Sequence, residues 1–311
     1  MSERPIVIGT RGSALALAQA NWTFDALRKA FPRLAFEIKI IKTSGDKMKT
    51  ASLARVTESS KGLFTKELEQ ALLRGQIDLA VHSCKDLPSE VPAGLKLAAV
   101  PKREDARDVF VSKTKIELPA TGTIATSSVR RKAQLLGRSP RLNVVEIRGN
   151  VETRLRKLAE SSEWQGIILA AAGLKRLGLI QESKSVDALQ FDPVLFFQVL
   201  PMDVMLPAVG QAALAIETRA DDARIESIVV RLNHFASFAA VAAERAFLRA
   251  LGGGCQTPIA AHGVVSEGKL RLRGAVFELD GTNARAGEVT GSEKEPEALG
   301  QKLAAMVVHS P

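Results

Sequence analysis

With 311 residues, 46% of them apolar and 25% charged, the chain can bury substantial cores, and its length suggests two or three domains rather than one. Two cysteines, Cys84 and Cys255, and four scattered histidines exclude a disulfide framework and a thiolate metal site, so a thiol can act here only as a single reactive sulfur. The formal charge of +9 is concentrated: between Thr121 and Arg176, eleven Lys and Arg stand against four acids, a surplus of seven. Arginine outnumbers lysine eight to three in that segment, and its planar fork pairs with carboxylate or phosphate through two parallel hydrogen bonds. Such a field attracts polyanions; the plainer reading is a solvated basic face. The opening Met1-Ser2-Glu3-Arg4-Pro5 lacks the long apolar region of a signal peptide. The longest small and apolar stretch, Gly166 to Leu174, stops at Lys175, too short to span a bilayer. A cytoplasmic protein with no membrane partner is the expectation.

In chain order, short β-branched runs alternate with helical patterns, which predicts parallel sheets with helices on their faces. Ile6-Val7-Ile8 reads as a strand, Ala14 to Ala30 as an amphipathic helix, Phe36 to Ile41 as a strand, Thr65 to Arg74 as a helix and Asp78 to His82 as a buried strand. Pro88, Pro92 and Pro101 punctuate the chain and put a boundary near residues 100 to 105. The series then begins again: strand at Gly122 to Ala125, helix at Val129 to Leu136, strand at Leu142 to Ile147, helix at Val151 to Glu160 and strand at Gly166 to Leu169. Residues 180 to 206 are apolar but broken by Pro193 and Pro201, and no element is assigned to them. Ala236 to Leu251 is helical, Gly252-Gly253-Gly254 leads into Cys255, and alternation at Lys269 to Phe277 with a last helix near Glu297 to Val308 completes a small α+β unit.

The two halves share one feature. Ile8-Gly9-Thr10-Arg11-Gly12-Ser13 and Ile124-Ala125-Thr126-Ser127-Ser128 both take a strand through small hydroxyl residues into a helix. Free backbone N–H groups and the positive end of the helix dipole suit an anion there, although Ser and Thr are also ordinary N-caps. The repetition, with Arg11 beside one junction and Arg130-Arg131 beside the other, favours a ligand beyond the strand ends. Asp78 to Asp86 sets a Lys85-Asp86 pair just past a buried strand, where α/β proteins keep catalytic groups; a surface ion pair is the alternative. Cys255 on its glycine loop is a candidate nucleophile or attachment point, or a buried turn cysteine. Lys61-Gly62-Leu63-Phe64 follows a polar segment, Ser44 to Ser60, that reads as a mobile loop or lid; the plainer reading is a solvated lysine followed by a helix.

Seven segments together carry a resemblance: Thr10-Arg11-Gly12-Ser13, Lys61-Gly62-Leu63-Phe64, His82-Ser83-Cys84-Lys85-Asp86, Thr126 to Arg131, Arg148-Gly149-Asn150, Ala172 to Gly178 and Gly253-Gly254-Cys255-Gln256. In order and spacing the chain resembles the porphobilinogen deaminases from about Ile6 to the end of its last domain. The resemblance implies an α/β fold, with two periplasmic-binding-protein-like domains forming two lobes and a small α+β C-terminal domain. It divides the chain into 1–103 with 213–231, an arginine-rich 104–212, and 232–311. It implies a dipyrromethane cofactor attached through a thioether to Cys255, with Ser13, Lys85, Ser127, Ser128, Arg130, Arg131 and Arg148 holding it. Asp86 becomes the catalytic residue, and Arg11, Arg154, Arg176, Lys61 and Phe64 serve the substrate. The implied reaction deaminates four porphobilinogen molecules, joins them head to tail and releases hydroxymethylbilane by hydrolysis. The partners are then porphobilinogen and the growing polypyrrole chain of a monomer. Ala212 stands where the family usually has glycine, and Gly252 where it often has an acid.

Two rivals differ in class. A non-enzymatic two-lobed anion-binding module would share the cleft architecture, but not the separate domain carrying Cys255. A nucleic-acid binder would use the basic segment, yet 5% aromatic content with no tyrosine offers few stacking platforms.

Overall fold

The structure, a computed structural model, describes residues 4–44, 64–181, 186–254 and 257–308. They fall into two compact units, Met1–Arg103 with Ala213–Phe238 and Glu104–Ala212 with Ala239–Pro311. Lys61, Cys255 and, beyond Ser44, the segment read as a lid lie outside the described residues.

The first unit contains β1 (Ile6–Thr10), α1 (Ala14–Ala30), β2 (Phe36–Ile40), α2 (Lys66–Leu73), β3 (Leu79–Ser83) and β4 (Leu95–Ala99), and, when the chain returns, β11 (Leu214–Arg219) and α6 (Ala223–Val229). Their sheet runs β2-β1-β3-β11-β4. β1 is parallel to β2 and β3, whereas β11 is antiparallel to β3 and β4. The parallel sheet expected from the sequence is thus corrected to a mixed one: no helical crossover joins β3 to β11, so nothing imposes a parallel direction on β11. Side chains alternate with period two. Ile6, Ile8, Leu79, Val81 and Ile216 pack with Leu27 of α1 and Ile225 of α6 on one face. Val7 and Ala80 pack with Leu68, Ala71 and Leu72 of α2 on the other. The same alternation sends His82 to the α2 side, and Glu217, paired in register with Ala80, goes there too.

The second unit begins with β5 (Asp108–Ser112), β6 (Gly122–Ala125), α3 (Val129–Arg138), β7 (Leu142–Val145), α4 (Val151–Glu160), β8 (Trp164–Ala170), α5 (Ala171–Arg176), β9 (Asp187–Leu189) and β10 (Leu195–Val199). The sheet order is β7-β6-β8-β5-β10-β9, again mixed, with β5 antiparallel to both its neighbours. β9 and β10 fill part of the stretch to which the sequence assigned nothing; each is a run of five residues or fewer, which periodicity alone does not classify. Farther on, β12 (Ile259–Ser266), β13 (Lys269–Val276) and β14 (Arg285–Ser292) form an antiparallel meander. It buries Leu270 and Leu272 against Phe247 of α7 (Phe235–Ala250) and Leu303 of α8 (Pro296–Val308). Among the described residues no single helix is long and apolar enough to cross a membrane.

Asp108, fully buried at the start of β5, is the polar centre of the second unit. Arg130 Nη2 donates to its Oδ2 at 2.8 Å, and Arg131 Nη2 and Gln211 Nε2 donate to Oδ1 at 2.7 and 2.9 Å. Arg130 Nη1 reaches Leu206 O at 2.6 Å and Arg131 Nη1 reaches Ile168 O at 2.8 Å, so the two guanidiniums brace α3 against β5 and β8. Both arginines are buried and stand apart from any solvated basic face. Burial lowers the pKa of Arg130, while Asp108 opposes that shift. Removing the shared carboxylate leaves two buried cations without their counter-charge, and breaking a buried pair costs about 3–5 kcal/mol. Asp108→Asn is therefore expected to lower the stability read from urea unfolding by about that amount. Arg148→Leu, at a half-exposed side chain paired with Glu146 at 3.1 Å, is expected to cost less than about 1 kcal/mol in the same measurement.

Candidate functional site

β1 and β3 run side by side and parallel, so the loops that follow them leave the same edge of the sheet. β1 passes through Arg11 and Gly12 into α1, where Ser13 caps the helix by accepting from Ala16 N at 3.3 Å. That bond uses a lone pair of Oγ and leaves the hydroxyl proton to donate elsewhere. β3 passes into a 3₁₀ turn, Cys84–Asp86. Between the two loops lies an open pocket of about 60 Å³ whose lining includes Arg11, Ser13, Gln19, Phe64, His82 and Asp86. The Arg11 guanidinium lies 4.2 Å from the centre of the Phe64 ring, a cation–π contact that orients the charge. Gln19 Nε2 donates to Ser83 Oγ at 2.9 Å and ties α1 to the end of β3. Lys85 is half-buried in the turn beside Asp86.

Beneath this pocket is a group that sequence reasoning missed. His82 Nε2 lies 3.1 Å from Glu217 Oε2, both side chains buried. Glu69 of α2 is buried nearby, and burial, with the charge of Glu217 adding to it, raises its pKa above the ordinary carboxylate value. A signal was present in the sequence: Glu217 interrupts the apolar run Ala213 to Ile216, and acids are seldom fully buried unless paired.

The second unit repeats the strand-to-helix junction with a different use of its hydroxyls. Ser128 Oγ caps α3 by accepting from Arg131 N at 3.4 Å. The Ser127 hydroxyl donates to Ile147 O and accepts from Ile147 N at 3.2 Å, so its proton is spent on the backbone. Arg148 and Arg154 flank the turn before α4: Arg154 Nε donates to Gly149 O at 2.9 Å, and Asn150 caps the helix by accepting from Thr153 N. Gly149 has φ +122, open to glycine and strained for other residues. Arg176 stands elsewhere, its Nη2 donating to Ala212 O at 2.6 Å and its pKa lowered to about 10, chiefly by burial, with Glu104 opposing. Ala212 itself has φ 70, a left-handed conformation that accounts for the glycine expected at that position. The structure thus brings Arg11, Ser13, Phe64 and Asp86 into one pocket, gathers Arg130 and Arg131 on Asp108, sets Arg148 beside Arg154, and keeps Arg176 apart. Cys84 is buried with 1% exposure. No cluster of three or more potential metal ligands occurs among the described residues.

Comparison with known proteins bears on what this arrangement serves. Residues 6–227 match the family model described as porphobilinogen deaminase, dipyromethane cofactor binding domain. Residues 238–309 match porphobilinogen deaminase, C-terminal domain. The porphobilinogen deaminase of Desulforudis audaxviator is 48% identical over 308 residues, covering 98% of this chain and 94% of that protein. That of Geobacter sulfurreducens is 48% identical over 304 residues, covering 96% and 91%. Among solved structures, the periplasmic aliphatic sulphonate binding protein SsuA of Escherichia coli superimposes with a TM-score of 0.39 at 12% identity, covering 80% of this chain and 70% of that one, too remote to weigh. By two successive family models and near full-length identity approaching one half, the chain belongs to the porphobilinogen deaminase family.

Proposed function

We propose that this chain deaminates porphobilinogen, joins four such units head to tail on a dipyrromethane primer held by Cys255, and releases hydroxymethylbilane by hydrolysis. The observation that carries the reading is the first-unit pocket, in which one carboxylate, Asp86, shares the lining with the donors Arg11 and Ser13. Porphobilinogen has the complementary set: an acetate and a propionate for the donors, and a pyrrole N–H for the carboxylate.

The donor chemistry fits a dipyrromethane, which is two such rings. Arg130 Nε is buried with no hydrogen-bond partner among the described residues, and the guanidiniums of Arg130 and Arg131 share a single acid. The surplus positive charge suits carboxylates. Ser13, Lys85, Ser128, Arg130, Arg131 and Arg148 would hold the primer, with Ser127 setting the loop through Ile147 rather than donating to the ligand. Arg11, Arg154, Arg176 and Phe64 would orient the incoming ring, with Lys61 from the lid. Once attached, the dipyrromethane supplies the α-carbon on which the chain grows and stays behind when product leaves. Cys84 is too deeply buried to carry such a group, which leaves Cys255, the chain's other cysteine, on its glycine loop. In this reading residues 232–311 form a third domain that presents that sulfur. The protein acts as a cytoplasmic monomer, and the arginine surplus serves the carboxylates of substrate and product rather than a nucleic acid or a membrane.

Asp86 accepts from the pyrrole N–H and stabilises the positive charge that develops as ammonia leaves. Two unit charges 4 Å apart at a near-surface effective dielectric interact by about 4 kcal/mol, worth roughly 10³-fold in rate. Asp86→Ala is expected to fold and to carry primer supplied preassembled, yet to lose about 10²- to 10³-fold in kcat; near-normal turnover of porphobilinogen would remove Asp86 from the chemistry. The intact mass of the purified protein should exceed that of the bare chain by two linked pyrrole units. Cys255→Ser should show the bare mass and no turnover, and an unmodified but active wild-type protein would overturn the covalent primer.

A further inference from the structure

Under α2 the first unit keeps three ionisable side chains that the reaction proposed above leaves unused. β3 contributes His82, β11 contributes Glu217 and α2 contributes Glu69, with 5%, 1% and 8% exposure. His82 Nε2 meets Glu217 Oε2 at 3.1 Å. Glu217 Oε1 and Glu69 Oε1 are both buried with no hydrogen-bond partner among the described residues. Neither acid is part of the pocket lining; His82 is. The charged groups around the imidazole are then Glu217 from β11, Glu69 from α2, and Arg11 and Asp86 across the pocket from the loops after β1 and β3.

A buried carboxylate needs a hydrogen-bond donor, and the imidazole at 3.1 Å is the donor for Glu217. Glu69, whose pKa burial raises, keeps an orphaned Oε1 on which a proton can rest. With Glu217 as the acceptor of this bond, Nε2 carries a proton and Nδ1, the other ring nitrogen, is the atom left to exchange.

We infer that His82 is the proton shuttle of the Arg11–Asp86 pocket, fed by the buried pair Glu69 and Glu217, while Asp86 stays behind as a fixed negative charge. The inference rests on the reaction proposed above. His82 gives a proton to the amine nitrogen of porphobilinogen. The carbon–nitrogen bond then breaks with its electron pair on nitrogen, electrons from the pyrrole nitrogen fill the methylene carbon, and ammonia leaves. When the new carbon–carbon bond forms, the ring carbon that attacked loses its hydrogen as a proton, its bonding pair restores the aromatic ring, and His82 takes that proton. One proton goes out and one returns, so each cycle needs no other co-reactant. In this scheme Glu217 and Glu69 are positioning residues.

The test uses the full-length, primer-carrying protein, with circular dichroism to check folding and intact mass to check primer content. His82→Gln is expected to keep both and to lower kcat for porphobilinogen about 10²-fold, with KM changed less than about threefold. His82→Ala should recover turnover when imidazole is added, and Glu217→Gln should lower kcat only while His82 is present. Turnover of His82→Gln within about twofold of wild type overturns the inference, as does a loss that imidazole does not restore and that leaves the pH profile of kcat unchanged. If His82→Gln fails to fold, ¹⁵N imidazole spectra of the wild-type protein decide: a proton on Nε2 supports the shuttle, and one fixed on Nδ1 overturns it. Loss of turnover at Asp86→Ala with none at His82→Gln sinks this inference alone. A wild-type protein that makes no hydroxymethylbilane sinks the underlying reaction instead.

Discussion

Asp108 takes hydrogen bonds from Arg130, Arg131 and Gln211 in an interior that admits no water-exposed alternative, and the second unit is arranged around satisfying that one charge. An isolated ion in such a place costs several kcal/mol, a large fraction of the 5–15 kcal/mol by which a typical domain is stable. The same constraint recurs at other junctions. Asp78, buried at the head of β3, accepts from Val7 N at 2.9 Å and from Arg4 at 2.8 Å, with Arg219 of β11 at 3.5 Å. Glu244 of α7 accepts from Gly210 N and Gly263 N, each at 2.7 Å. In every case the donors come from segments distant in sequence. A carboxylate buried early in the chain thereby specifies where a much later strand or loop must lie, something apolar packing, which is non-directional, does less sharply.

This requirement divides the basic residues into two populations. Arg130, Arg131 and Arg219 have guanidiniums turned inward onto acids and carbonyls. Arg11 lines a pocket, its guanidinium over an aromatic face. A chain that binds a ligand with several carboxylates needs the second population. It needs the first to hold α3 and the sheets rigidly, and Arg130 and Arg131, proposed above to hold the primer, belong to both, Arg130 through the Nε that its buried partners leave over. Net charge does not separate the two, and so a surplus of seven in one segment overstates how much of it faces a ligand.

The elements most legible in the sequence were those with a clean period and a cap. α1 and α4 occupy the ranges read from spacing, since Ser13 and Asn150 mark their starts and each buries one face at helical spacing. The pocket's ingredients were legible for a related reason: Arg11 and Ser13 follow β1, and Lys85 and Asp86 follow β3, at ends that hydrophobicity locates well. Direction and pairing were not legible. β4, β5 and β11 pair with strands far away in sequence, and a five- or six-residue apolar run is equally compatible with parallel and antiparallel neighbours. The buried acid–base group escaped notice for the same reason. Glu69, His82 and Glu217 are ordinary residues of their own segments and become a group only once β11 is placed beside β3 and α2 above both.

That placement also accounts for why one strand carries two kinds of chemistry. Asp86 lies past the end of β3, on a turn open to the pocket, while His82 lies within the strand and faces the packed helix. A carboxylate that must hold a developing cation loses that role at each moment it is protonated, so charge stabilisation and proton transfer compete when assigned to a single group. In the reaction proposed above, separating them along β3 would remove the competition: Asp86 at the strand's end would keep its charge beside the ligand, and His82 inside it would pass protons beside acids that solvent does not reach. The five-residue length of β3 and its alternation between faces are what set the two functions a few residues apart yet beside the same pocket.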